Sequence, residues 1–90
     1  MLESIYQKKV IAKYEKAGYY VIKLAKTNKN GIPDLICIKP KEVLFVEVKN
    51  EKGKLSELQK YRIKELEMYG FKTIVDRYEM DSDTSQQRAL

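Results

Sequence analysis

The stretch Gly31-Ile32-Pro33-Asp34-Leu35-Ile36, followed by Val46-Glu47-Val48-Lys49, decides the predicted fold of this 90-residue chain. Two apolar runs of strand-forming residues, at 35–38 and 43–46, flank the connection Lys39-Pro40-Lys41-Glu42. Four residues suffice for a hairpin loop, and proline cannot donate to a strand ladder. The pattern therefore predicts two antiparallel strands joined by a four-residue connection.

The expected register of this hairpin brings two carboxylates together. If Ile38 pairs with Val43, the register can be counted back along both strands. The count places Asp34 opposite Glu47, where β-carbons are about 5 Å apart and like charges destabilise. Period-two alternation places Lys49 on the same face as Glu47. Such a group can bind a hard divalent metal beside a phosphate, and the alternative is a solvated ion pair at a sheet edge.

Composition narrows the possible chemistry. The chain has no histidine, which excludes histidine-based triads and histidine-ligated zinc. Its single cysteine, Cys37, excludes an internal disulfide and a cysteine zinc cluster, and we expect it to be buried in a core strand. This cysteine usage fits a reducing compartment. With no signal peptide or membrane-spanning run in the sequence, we expect a cytoplasmic protein.

The charge of the chain points to a polyanionic partner. The net charge is +5 and the isoelectric point is near 9.3. Basic loops around the acidic strands suit a substrate that carries phosphates. The loop lysines expected to contact these phosphates are Lys26, Lys29, Lys52 and Lys54, with further lysines at 39 and 41.

Helical periodicity and helix-end signals predict the remaining elements and give the order α-β-β-β-α-β. We therefore expect an α/β fold of the α+β type, with a mixed sheet and helices packed on it. Gly18 and Gly70 are natural helix ends, and Ser56 begins the second helix in a Ser-x-x-Gln capping box with Gln59. We expect helices at 2–17 and 56–69, further strands at 19–24 and 71–78, one domain over 1–78, and a polar tail at 79–90 that is loose or makes dimer contacts.

Each predicted helix carries polar residues within its inward stripe. The first stripe contains Glu3 and Gln7, and the second contains Gln59 and Arg62. A purely structural alternative exists for each: a frayed, exposed first turn would explain Glu3 and Gln7, and the capping box would explain Gln59. Arg62 is expected to pair with Glu3 or an acidic neighbour. The apolar members of the two stripes are Tyr6, Val10, Tyr14 and Ala17, and Leu58, Ile63, Leu66 and Tyr69.

Four ordered pieces resemble the VRR-Nuc (virus-type replication-repair nuclease) family of the PD-(D/E)xK superfamily, in its small stand-alone form. They are Glu3-x-x-x-Gln7, Gly31-x-Pro33-Asp34, Glu47-x-Lys49 and Gly53-x-Leu55-Ser56-x-x-Gln59. The resemblance spans residues 3 to 59 and implies a restriction-endonuclease-like αβββαβ core, which agrees with the order obtained from periodicity.

The resemblance implies a phosphodiesterase that acts on DNA with Mg²⁺ or Mn²⁺. Asp34 and Glu47 would ligate the metal with the backbone carbonyl of Val48, and Lys49 would orient water or stabilise charge on the phosphate. The supporting residues would be Glu3, which completes the acidic cluster, directly or through water, and Gln7 and Gln59, which support metal-bound water or the lysine.

The implied substrate is branched DNA, such as a Holliday junction, flap or fork. Because a junction has two-fold character and the domain is small, we expect a homodimer. Three alternatives remain open: a catalytically inactive basic DNA-binding module, a restriction-type enzyme, and a nuclease that acts on RNA. The first of these does not explain why carboxylates face each other among basic loops, since carboxylates repel phosphate.

Overall fold

The computed structural model describes the backbone of residues 3–78 and the side chains of residues 3–77. The elements follow the predicted order and are α1 Glu3–Lys16, β1 Tyr20–Lys23, β2 Leu35–Lys39, β3 Glu42–Asn50, α2 Glu57–Met68 and β4 Lys72–Tyr78. The expected α+β class with a mixed sheet is confirmed. The predicted tail at 79–90 lies outside the described residues. Neither described helix is both long enough and apolar enough to cross a membrane.

The sheet places β3 between an antiparallel and a parallel neighbour. The strand order is β1-β2-β3-β4, with β1, β2 and β3 antiparallel in sequence and β4 parallel to β3. A parallel neighbour requires a crossover connection, and α2 lies within it. Ile38 pairs with Val43, which confirms the register that was predicted for the hairpin.

The hairpin turn is tighter than predicted. The ladder continues to a Lys39–Glu42 pair, so the loop contains only Pro40 and Lys41 rather than four residues. Proline presets the backbone angle that begins such a turn, and Lys41 closes it with a φ of 63°. A two-residue turn was not predicted because lysine rarely adopts the left-handed backbone conformation that Lys41 has here.

One face of the sheet forms the core with α1. Tyr6 is 7% exposed and Val10 is 1% exposed, and both pack on strand residues that are also buried. Tyr14 is half-buried, while Ala17 is exposed because it lies in the turn after the helix. The buried strand residues are Leu35, Cys37, Leu44, Val46 and Val48, which confirms the expected burial of the cysteine.

The second helix is covered less than predicted. Ile63 and Leu66 are half-buried, but Leu58 is 41% exposed and Tyr69 is 77% exposed. The helix begins at the predicted Ser56 capping box. Its main contact with the sheet is β4, an edge strand, so the sheet is too narrow to cover the whole stripe. The prediction that Tyr69 faces inward is wrong for this reason.

Candidate active site

Two carboxyl groups meet at the end of the sheet where β2 begins. Asp34 precedes β2, and its Oδ2 accepts a 2.8 Å hydrogen bond from the backbone N–H of Val48. Glu47 belongs to β3, lies within hydrogen-bonding reach of Asp34 and is only 2% exposed. Strand alternation directs Glu47 away from the core face that buries Val46 and Val48. The sequence register therefore brings the two acidic groups together as the hairpin pattern predicts.

The pKa values of both carboxyl groups are raised, mainly because burial disfavours the charged form. The pKa of Glu47 rises to about 7, first through desolvation and then through repulsion by Asp34, while Lys49 opposes the rise. Burial also raises the pKa of Asp34, although the Val48 N–H bond and the charge of Lys49 lower it. A buried acid and a half-buried acid that repel each other form a site that a cation would stabilise.

A lysine and a glutamine complete the surroundings of Glu47. The Nζ of Lys49 lies 3.8 Å from Glu47 Oε2, and the lysine side chain is 19% exposed. The Nε2 of Gln59 donates a 3.2 Å hydrogen bond to the same Oε2. Gln59 Oε1 accepts from the backbone N–H of Ser56, so the capping box aims the amide at the carboxylate. Gln59 thus forms the predicted helix cap and also contacts Glu47.

Glu3 and Gln7, the two polar residues in the inward stripe of α1, differ in exposure. Glu3 is exposed, and its negative charge raises the pKa of Glu47. Gln7 is half-buried, and its Oε1 is buried without a hydrogen-bond partner among the described residues. Within residues 3–78, no three acidic or cysteine side chains form a ready-made metal cluster. The direct protein carboxylates available to a metal are therefore those of Asp34 and Glu47.

Basic residues lie in the loop that precedes Asp34 and in the connection that follows the strand of Glu47. The loop between β1 and β2 lines a polar cleft of about 490 Å³ whose walls include Lys26, Lys29 and Asp34. Lys52 and Lys54 are exposed in the connection between β3 and α2. Lys23 was not predicted, yet its charge lowers the pKa of Asp34. Extending the register into β1 would have found it, because Lys23 pairs with Leu35, the residue after Asp34.

Arg62 has a structural partner that the sequence did not identify. Its Nη1 bonds Glu65 Oε1 at 3.0 Å, and its Nε donates a 2.8 Å hydrogen bond to the carbonyl of Asn30. The expected pairing with an acidic neighbour is therefore present, with Glu65 rather than Glu3 as the partner. The backbone contact left no sequence signal, because any residue at position 30 offers a carbonyl.

A family model for the VRR-NUC domain matches residues 1–77. The chain belongs to the VRR-NUC family. A solved structure described as a VRR-NUC domain is similar to this chain, with 28% sequence identity, a TM-score of 0.75, and coverage of 98% of this chain and 97% of the other. No curated protein matches the chain. Membership in the VRR-NUC family implies a nuclease-type fold, in agreement with the resemblance of the sequence motifs.

Proposed function

We propose that this VRR-NUC domain is a metal-dependent, structure-specific endonuclease that hydrolyses phosphodiester bonds in branched DNA. The observation that carries the proposal is the close approach of Asp34 and Glu47 beside Lys49, in a chain with a net charge of +5. A buried and a half-buried acid side by side destabilise a fold unless a cation compensates their charge. An inactive DNA-binding module would gain nothing from them, because carboxylates repel phosphate.

The donor set fits Mg²⁺ or Mn²⁺. Mg²⁺ usually takes one or two protein carboxylates and completes its shell with water and substrate phosphate, which suits a site with two carboxylates and no third. Asp34, Glu47 and the carbonyl of Val48 would hold the ion. A strand residue directs its N–H and C=O to the same neighbouring strand, so this carbonyl faces the Asp34 side, as the Val48 N–H does. A bound ion supplies Lewis-acid chemistry, lowering the pKa of water and neutralising charge on phosphoryl oxygens.

The remaining side chains have supporting roles in this proposal. Lys49 keeps its ammonium next to Glu47, where it orients the attacking water or stabilises negative charge on the phosphate. Gln59 fixes the orientation of the Glu47 carboxylate through its hydrogen bond. Glu3 acts through water, and the unpartnered buried Oε1 of Gln7 is an acceptor for such a water.

DNA is the proposed substrate because the basic loops flank the carboxylates. Lys26 and Lys29 border one side, and Lys52 and Lys54 follow β3 on the chain. Lysines placed in this way neutralise phosphates without reading sequence. A homodimer belongs to the proposal, since two copies of a small domain would present two sites to the paired strands of a junction. Light scattering of the purified chain measures the mass that decides this point.

A cleavage assay with titrated Mg²⁺ or Mn²⁺ on forks, flaps and four-way junctions tests the proposal. Asp34→Asn, Glu47→Gln and Lys49→Met should each lower cleavage at least about 100-fold while DNA binding survives. Glu57→Gln and Lys60→Met are matched controls, because these exposed α2 residues pair with each other on the helix surface. Both controls should cut at the wild-type rate.

The alternatives give different results in the same assay. DNA binding that is indifferent to chelator, with no cutting in either metal, would support the inactive binding module. Cutting that depends on base sequence would support a restriction-type enzyme, and cutting of RNA alone would support an RNA-directed nuclease. Cleavage of junctions regardless of sequence is the outcome that the proposal predicts.

A further inference from the structure

The loop between β1 and β2 is held in a defined shape beside the carboxylates. Thr27 Oγ1 donates to the carbonyl of Lys29 at 2.8 Å, and the backbone N–H of Leu24 donates to the carbonyl of Asp34 at 2.8 Å. The loop and Asp34 line the same polar cleft. The position of Lys26 and Lys29 relative to the carboxylates therefore depends on what holds the loop in place between Leu24 and Asp34.

The anchor comes from α2. Arg62 Nε donates a 2.8 Å hydrogen bond to the carbonyl of Asn30, and its guanidinium is braced by Glu65 and lies 5.4 Å from the ring of Tyr61. The Arg62 side chain is only 17% exposed, although most of α2 faces solvent. A guanidinium with two fixed partners is a rigid donor.

A second contact joins the same loop to the same helix. A β-carbon added at Gly31 would lie 2.7 Å from Cγ of Leu58, so the loop approaches α2 too closely for a side chain at this position. Gly31 also has a φ of 81°, which L side chains rarely adopt. This gives the Gly-x-Pro-Asp motif a packing role next to its acidic residue.

The same helix face also reaches the carboxylates. Gln59 and Arg62 are three residues apart, so they lie side by side on α2. Gln59 bonds Glu47, and Arg62 bonds the loop at Asn30. One turn of helix thus connects the acidic group of β3 to the basic loop that precedes β2.

We propose that Arg62 is a positioning residue for DNA binding: it fastens the 25–31 loop to α2, so that Lys26 and Lys29 meet the phosphates that flank the scissile bond. The inference rests on the proposed nuclease function and assigns Arg62 no contact with DNA. It predicts that loss of the Asn30 contact acts through the two lysines alone.

Hydrogen exchange on the free protein tests the anchor without any DNA. Arg62→Met keeps the aliphatic packing and removes the donors, so the hydrogen-bonded amides of Leu24 and Lys29, which donate to the Asp34 carbonyl and to Thr27 Oγ1, should exchange at least about tenfold faster. Glu65→Gln is the control, because a glutamine oxygen still accepts from Arg62 and the Asn30 bond is kept. Unchanged exchange in Arg62→Met would overturn the inference, even if the wild type proves to be a nuclease.

DNA affinity as a function of salt then tests the consequence. Arg62→Met should weaken junction binding about tenfold and lower the salt slope by up to about 1.8, since each duplex phosphate contributes about 0.9. The expected defect is a raised KM with kcat at saturating DNA within about twofold of the wild type. Arg62→Lys, which keeps a donor for the Asn30 carbonyl, should recover part of the affinity.

A double-mutant cycle separates positioning from direct contact. In a Lys26→Ala/Lys29→Ala background, Arg62→Met should cause no further loss of affinity or slope. An additional slope loss of about 0.9 would show that Arg62 itself binds phosphate, and an equal loss of affinity in both backgrounds would show a merely structural effect; either overturns the inference. If the wild type neither binds nor cuts DNA, the proposed function fails, while the exchange experiment still decides the anchor.

Discussion

The two helices of this domain make different kinds of contact with the sheet. Helix α1 buries Tyr6 and Val10 against the sheet, whereas none of the residues of α2 is buried. The informative contacts of α2 are polar instead: Gln59 reaches Glu47, and Arg62 reaches the Asn30 carbonyl. Apolar burial by α1 therefore stabilises the fold, while α2 buries little surface in the core and holds polar groups next to the carboxylates.

The largest expected effect concerns Glu47, the acid that Gln59 of α2 contacts. The pKa of Glu47 is about 7 in the folded protein against an ordinary value of 4.5, so the folded state binds its proton more tightly than the unfolded state. Without metal, the free energy of unfolding should therefore fall as pH rises from about 4.5 to 7 and then level off. Glu47→Gln should remove most of this fall, leaving the contribution of Asp34, and be more stable than the wild type at pH 8 by about 3 kcal/mol.

Chemical denaturation in chelator at pH 4 and pH 8 measures this difference. At pH 4 the two proteins should have similar stability, because the wild-type carboxyl group is protonated in both states. Saturating Mg²⁺ should restore stability to the wild type at pH 8 but not to Glu47→Gln. Identical pH profiles for the two proteins would contradict the account of a strained acidic pair.

The next effect separates the two functions of Gln59. Gln59→Glu keeps an oxygen for the backbone N–H of Ser56, but replaces the donor to Glu47 with a third negative charge. We expect cleavage to fall about 100-fold, because Glu47 loses its orienting hydrogen bond and is repelled. Single-turnover rates on a four-way junction provide the measurement, and rates equal to the wild type would show that α2 does not order the site.

A core substitution in α1 should show the opposite behaviour. Val10→Ala removes two methyl groups from a site that is 1% exposed, which should lower the free energy of unfolding by about 2 kcal/mol. Met68→Ala in α2 is the control, since Met68 is 85% exposed and should change stability by less than about 0.5 kcal/mol. Urea denaturation compares them, and equal losses would refute the division between the helices.

The smallest expected effect is that of removing the helix cap while the contact between Gln59 and Glu47 is kept. Ser56→Ala removes the oxygen that accepts from the backbone N–H of Gln59, and should destabilise the domain by about 1 kcal/mol. Cleavage at low temperature should stay within about threefold of the wild type, since the Gln59 amide can still reach Glu47. A 100-fold loss of cleavage would mean that the cap, and not the amide contact, orders the carboxylate.

The hairpin and the cap show what sequence reasoning can reach. The pairing of Ile38 with Val43 and the Ser56–Gln59 box are local, because alternation and capping involve residues that are close along the chain. The same register places Asp34, Glu47 and Lys49 together before any tertiary contact is known. These elements follow from periodicity, so they could be derived from the residues alone.

The missed features depend on how the elements are placed in space. The apolar stripe of α2 shows which face is inward but not that the sheet ends beneath it, so Tyr69 was wrongly expected to be covered. Arg62 bonds a backbone carbonyl 32 residues away, and a carbonyl has no sequence signature. Lys23 lies near Asp34 only because β1 pairs with β2. Each is a long-range consequence of strand order or helix placement.

An anomalous difference map from crystals of the full chain grown with Mn²⁺ would show directly whether the two carboxylates hold a metal ion. We expect a peak between the carboxylates of Asp34 and Glu47, at about 2.0–2.6 Å from an oxygen of each. Asp34→Asn crystals under the same conditions should lack it. A map with no ion between these two residues at saturating Mn²⁺ would contradict the claim that their close approach serves a metal.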